Sequence, residues 1–166
     1  MNKTLWNLLV TALILTTFTP ISNAKTTWVT SIGRGWVFVF DEDEIVYKPA
    51  DTRLSIAAKF PVTDYAAVFV GGGLVIPDAE LKPKPRVTAG IGFRVLDRIS
   101  IGLGAFYQVS PPYNEKSLTH TIGGGVSLSV PINDVMSVSL AAGPAKTIGG
   151  PWSFVIKPSI GFKLPF

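Results

Sequence analysis

The stretch that decides the fold is the last in the chain, WSFVIKPSIGFKLPF, from Trp152 to Phe166. Trp152, Phe154, Ile156, Pro158, Ile160, Phe162, Leu164 and Phe166 occupy one phase of a two-residue period. Ser153, Lys157, Ser159, Gly161 and Lys163 occupy the other, together with Val155. Successive side chains of a β-strand point to opposite faces, so this segment makes a strand with one apolar face and one small or cationic face.

Working outward from it, the same alternation recurs. Met136, Val138, Leu140 and Ala142 alternate with Ser137, Ser139 and Gly143. Leu118, Ile122, Val126, Leu128 and Val130 alternate with Thr119, Thr121, Gly123, Gly125, Ser127 and Ser129. Ile99, Ile101, Leu103, Ala105 and Tyr107 alternate with Ser100, Gly102, Gly104 and Gln108. Val87, Ala89, Ile91, Phe93 and Val95 alternate with Arg86, Thr88, Gly90, Gly92 and Arg94, and Leu54, Ile56, Ala58 and Phe60 with Arg53, Ser55 and Lys59. No window of helical length keeps an i, i+3, i+4 stripe through its glycines.

Two further segments are less regular. Tyr65 to Ile76 is apolar on both faces apart from Gly71-Gly72-Gly73. Thr27 to Phe40 is strand-like, but Arg34 shares a phase with Ile32 and Trp36. A lipid-facing Arg costs roughly 2–4 kcal/mol at a membrane midplane, so a bulge or phase shift is expected near Gly33 or Gly35. The total is eight strands. Tight turns are expected at Pro61–Asp64, around Asp97, and at Pro131–Asp134. Longer links are expected at Asp41–Ala50, Pro77–Pro85, Ser110–Lys116 and Pro144–Pro151. Short turns at one end and long loops at the other is the arrangement of outer-membrane barrels, and both termini then fall on the short-turn, periplasmic side.

Composition agrees. The chain has 166 residues, 47% hydrophobic and only 16% charged, a charged fraction well below that of ordinary soluble domains. There is no Cys, which excludes a disulfide framework and a thiolate metal site. Residues 1–24 read as a secretory signal peptide. Lys3 supplies the positive end, Leu5 to Phe18 the apolar stretch, and Ser22-Asn23-Ala24 a small-x-small cleavage site. An uncleaved anchor helix would need about 20 apolar residues, and Asn7 and several Thr interrupt this one. The net charge is +4, with the basic residues dispersed; nucleic-acid binding needs a clustered basic patch. The mature domain is therefore expected to span Lys25 to Phe166.

Aromatic residues fall at both strand ends. Trp28, Phe60, Tyr65, Phe93, Phe162 and Phe166 lie near the short turns. Trp36, Phe38, Phe40, Tyr107, Trp152 and Phe154 lie near the longer links. Such rings favour the two membrane interfaces. A soluble barrel binding a small apolar ligand would instead turn the apolar phase inward. The signal peptide, the rings and the all-apolar face of the last strand favour lipid outside and a polar interior.

In these features Lys25 to Phe166 resembles the small eight-stranded outer-membrane barrels, the class containing the OmpA membrane domain and OmpX. The resemblance implies an eight-stranded antiparallel up-and-down transmembrane β-barrel among outer-membrane lipid and lipopolysaccharide. It also implies a last strand read by the barrel-assembly machinery. Gly161, Phe162, Leu164 and Phe166 match that assembly signal, whereas Pro158 and Pro165 depart from it and should interrupt the ladder.

Little points to catalysis. His120 is the single His and faces outward near the long-link rim. Outer-membrane lipid A deacylases keep a Ser two residues after their His, and an acid nearby. Here that position is Ile122, so no nucleophile–base–orienter set forms. A lipid-modifying enzyme stays as the alternative. Asp41-Glu42-Asp43-Glu44 can gather a divalent cation or simply stay solvated as a loop. The triglycines Gly71–Gly73 and Gly123–Gly125 lack the helix and Lys of a phosphate loop. No cofactor is implied. The inward phase carries Arg53, Lys59, Arg86, Arg94, Lys157 and Lys163 with no carboxylate in phase. A positively biased lumen follows, giving a non-enzymatic barrel with a structural, surface-interaction or narrow-pore role.

Overall fold

A computed structural model of the chain describes residues 25–41, 44–78, 82–96, 98–111 and 118–165. The expected signal peptide, Glu42, Asp43 and Phe166 lie outside the described residues. The strands are β1 (Thr27–Asp41), β2 (Glu44–Pro61), β3 (Ala66–Pro77), β4 (Lys84–Leu96), β5 (Ile99–Ser110), β6 (Thr119–Pro131), β7 (Met136–Thr147) and β8 (Trp152–Lys163). Each pairs antiparallel with its sequence neighbours, and β1 pairs with β8 to close the cylinder. The expected closed eight-stranded antiparallel barrel is what forms.

The predicted phases are the observed faces. Leu54, Leu103, Val126 and Ile160 are each more than 40% exposed, and among the described residues no large side chain is fully buried. A soluble sandwich would bury these residues; here they lie on the outer surface of the cylinder. Stepping across the partners Thr30, Ile56, Gly72, Val87, Tyr107, Ile122, Lys146 and Trp152 returns to β1 at Phe40. That ten-residue stagger puts the strand tilt near the upper end of the roughly 35–45° range and widens the interior.

Two of the short turns are built alike. In one, Thr63 Oγ1 accepts from the amides of Tyr65 and Ala66 at 3.2 and 3.0 Å. In the other, Asn133 Oδ1 accepts from Val135 and Met136 at 2.9 and 2.7 Å. Short polar side chains thus replace the missing ladder bonds, which is why Pro-x-Thr-Asp and Pro-x-Asn-Asp both turn.

The structure corrects three expectations. The links 41–50 and 144–151 are mostly strand: β2 begins at Glu44 and β7 runs to Thr147. At the described ends of the acidic run, Asp41 pairs with Glu44 where β1 meets β2. Second, the register shift near Gly35 exists, but the extra residue lies on the partner strand. Gly35 pairs with Asp51 and Val37 with Lys48, so the bulge falls at Pro49–Ala50, where proline has no amide to offer. Arg34 accordingly keeps its outward phase and is held by Asp78 at 2.5 Å. Third, Pro165 follows the end of β8 instead of interrupting it. The expected interruption at Pro158 does occur: β1–β8 partners run to Gly33–Ser159 and resume at Trp36–Ile156.

Candidate functional site

The inward phase encloses two stacked cavities. The one toward the short turns has about 470 Å³ and is lined by Arg53, Ser55, Lys59, Arg86, Thr88, Arg94, Ser127, Ser139, Lys157 and Ser159, among others. The one toward the longer links has about 400 Å³ and is lined by Lys48, Asp51, Arg53, Lys84, Arg86, Gln108, Thr121 and Ser153, among others. Arg53, Arg86, Phe106 and Val155 line both. They form the partition between them.

The partition is built from β2, β4, β5 and β8. Asp51 and Arg53 are two apart on β2 and therefore share a face. Arg53 Nε donates to Asp51 Oδ1 at 2.5 Å and Nη2 to Oδ2 at 2.8 Å. Both residues are buried, at 8% and 9% exposure for Arg53 and Asp51. A fork-on-fork pair is the geometry in which buried charges hold best. Opposite them β1 presents Gly35, where an added Cβ would run into the Asp51 carboxylate and the Arg53 guanidinium. The missing side chain is what makes room for the pair.

Arg86, on β4, lays its guanidinium 3.5 Å from the ring centroid of Phe106 on β5. Phe106 itself covers Gly123 of β6, filling the space a side chain would take. The cation–π contact satisfies the face of the guanidinium but not its edge, and Nη1 of Arg86 is buried with no hydrogen-bond partner.

Of the six expected lumenal bases, Arg53 is locked in the ion pair. Lys59, Arg86, Arg94 and Lys157 line the larger cavity. Lys163 lines neither; it is exposed at the short-turn rim, opposite Val29. The expectation that no carboxylate shares their phase is overturned by Asp51. Lys48 falls in 41–50, which reads as a loop and so has no phase, while Asp51 and Lys84 lie just before the alternations that begin at Arg53 and Arg86. The one available signal was the Asp51-x-Arg53 spacing, since opposite charges two apart on a strand meet on one face.

Elsewhere, His120 is bound to Tyr107 through Oη and Nδ1 at 2.6 Å, the rings stacked at 5.8 Å. No carboxylate is hydrogen-bonded to this pair among the described residues. Phe38 and Tyr47 meet across the β1–β2 hairpin at 5.8 Å, and Lys146 lies 5.4 Å from the Trp152 ring. Among the described residues no cluster of acids and histidines is arranged to hold a metal. Gly161 points inward and is buried, and Phe162 points outward. Leu164 donates its amide to Trp28 at 2.9 Å.

No family model matches the chain, and no curated protein sequence does. Solved structures do. The chain is similar to Ail, the attachment invasion locus protein of Yersinia pestis, with a TM-score of 0.59 at 15% identity, covering 84% of this chain and 99% of that one. It is similar also to Neisserial surface protein A, with a TM-score of 0.55 at 11% identity over 84% and 99% of the two chains. At such identities the likeness is one of fold. The chain has the architecture of the small eight-stranded outer-membrane β-barrels.

Proposed function

We propose that the protein is a non-enzymatic integral protein of the Gram-negative outer membrane, exported by a signal peptide cleaved after Ala24, that acts by surface interaction. The observation that carries this reading is the β1–β2 hairpin. The last β2–β3 partners are Asp51 and Pro77, so Glu44–Lys48 is paired to β1 alone and stands beyond its neighbour. Its outward residues Ile45 and Tyr47 are 68% and 55% exposed, more apolar surface than a solvated loop tip needs. The similar folds of Ail, an attachment invasion locus protein, and of a Neisserial surface protein support the same reading. The barrel would sit among outer-membrane lipid and lipopolysaccharide, its last strand, with Gly161, Phe162, Leu164 and Phe166, read by the assembly machinery.

The test is surface labelling of intact cells. A Cys placed at Ile45 should react with a membrane-impermeant maleimide, while one placed at Val62, in a short turn, should react only after the outer membrane is opened. The reverse pattern would reject the orientation and with it the surface role. Unchanged lipid A masses with and without expression are the expected result for a non-enzyme.

A narrow-pore reading rests on the stacked cationic cavities. Conductance with slight anion preference is then expected from refolded protein in planar bilayers. Silence across all salts would end it.

A further inference from the structure

The cavity at the long-link end has a feature that neither the surface role nor the pore reading uses. Its lower wall is Arg86, whose Nη1 is buried without a hydrogen-bond partner. An orphaned charged donor costs more than a neutral one, and native structures seldom leave it so without cause. Phe106 holds the guanidinium plane at 3.5 Å, so the group cannot easily swing away to find a partner. The one carboxylate lining the cavity among the described residues, Asp51, has both oxygens committed to Arg53. Lys48 of β2 and Lys84 of β4 line the same cavity, and Gln108 and Thr121 add neutral polar groups.

A volume of about 400 Å³ lies in the range of small-molecule sites, roughly 300–1,000 Å³. Cations converging in a low-dielectric cleft focus a positive potential on whatever enters. The unpartnered Nη1 calls for an oxygen acceptor, and the cations around it for a multiply charged one, which a phosphate or sulfate provides and a chloride does not.

From these observations we infer that the cavity is a binding site for a multiply charged tetrahedral oxyanion, a phosphate or sulfate ester, seated on Arg86 with Lys48 and Lys84 as flanking cations. Access from the outer medium rests on the orientation proposed above; binding itself does not.

Isothermal titration of the refolded chain in zwitterionic detergent tests it, with inorganic pyrophosphate and a sulfated monosaccharide as probes and glucose as the uncharged control. Saturable binding is expected, weakening as salt rises. Lys84→Gln should weaken it roughly tenfold, as should Lys48→Gln, the loss expected for one charge-assisted contact. Lys163→Gln, which removes the same charge at the far rim, should leave it unchanged. Heat-modifiable gel migration confirms that each variant is folded. Binding of one probe only, with that variant pattern, would uphold the site and assign its ester class. Absence of binding up to roughly 10 mM, or equal losses in Lys84→Gln and Lys163→Gln, would overturn the inference. Both outcomes are separable from failure of the surface role, which the Ile45 labelling reads.

Discussion

Asp51 and Arg53 close a two-bond ion pair within a single strand and inside the barrel, at 2.5 and 2.8 Å. A pair made within one strand is set as soon as β2 is extended, and it brings its own neutralising charge into the lumen.

Removing one partner should therefore be worse than removing both. Asp51→Asn leaves the Arg53 guanidinium buried and uncompensated, a loss of about 3–5 kcal/mol. The double variant Asp51→Asn with Arg53→Met should recover most of it. Chemical unfolding of the refolded protein in micelles reads both. Equal stability of the single and double variants would show that the pair contributes nothing.

Gly35 should not accept a side chain. Gly35→Ala places a methyl against the Asp51–Arg53 pair, and overpacking of this kind costs roughly 1–3 kcal/mol. Gly72→Ala is the control. Its added Cβ would meet only the Arg86 carbonyl oxygen at 3.8 Å, so the unfolding midpoint should stay put.

Opening the partition should raise conductance. Phe106→Ala withdraws the ring that supports Arg86 and joins the two cavities. Single-channel current should increase severalfold over the parent in planar bilayers, since a pore conducts through its narrowest constriction. Identical currents would place the constriction elsewhere.

Depth should decide what an arginine costs on the lipid face. Leu103→Arg puts a charge on the outward face of mid-β5 and should destabilise by roughly 2–4 kcal/mol in bilayers. Asp78→Asn removes the partner of Arg34, whose side chain is 60% exposed, and should cost under about 1 kcal/mol. Unfolding in phospholipid vesicles compares the two. A large loss for Asp78→Asn would mean that Arg34 lies deeper than the interface.

The barrel was legible because its period-two signal survives in most strands. Val87–Val95 keeps large residues on one face and small or charged ones on the other, and Ile99–Tyr107 and Trp152–Lys163 do the same apart from the inward Phe106 and Val155. Where that signal failed, the reason is local. Pro49 and the bulge beside it put Lys48 and Asp51 three residues apart yet on the same face, so a strict two-residue count loses the strand there. Asp51, which neutralises Arg53, then falls between the 41–50 link and the alternation that begins at Arg53. Arg34 misled differently: its outward phase was right, and the pairing that tolerates it comes from Asp78, forty-four positions away. No single-strand pattern contains that information.

The ladder between β1 and β8 has a consequence for how the molecule comes into being. The strand made first must wait for the strand made last before its second edge is satisfied. A chain stopped before Trp152 would leave β1 and β7 each with a bare row of amides and carbonyls. Hydrocarbon offers no water to quench such a row. Shortened products should be held outside the bilayer or lost to proteolysis, because seven-eighths of a cylinder has no stable form there.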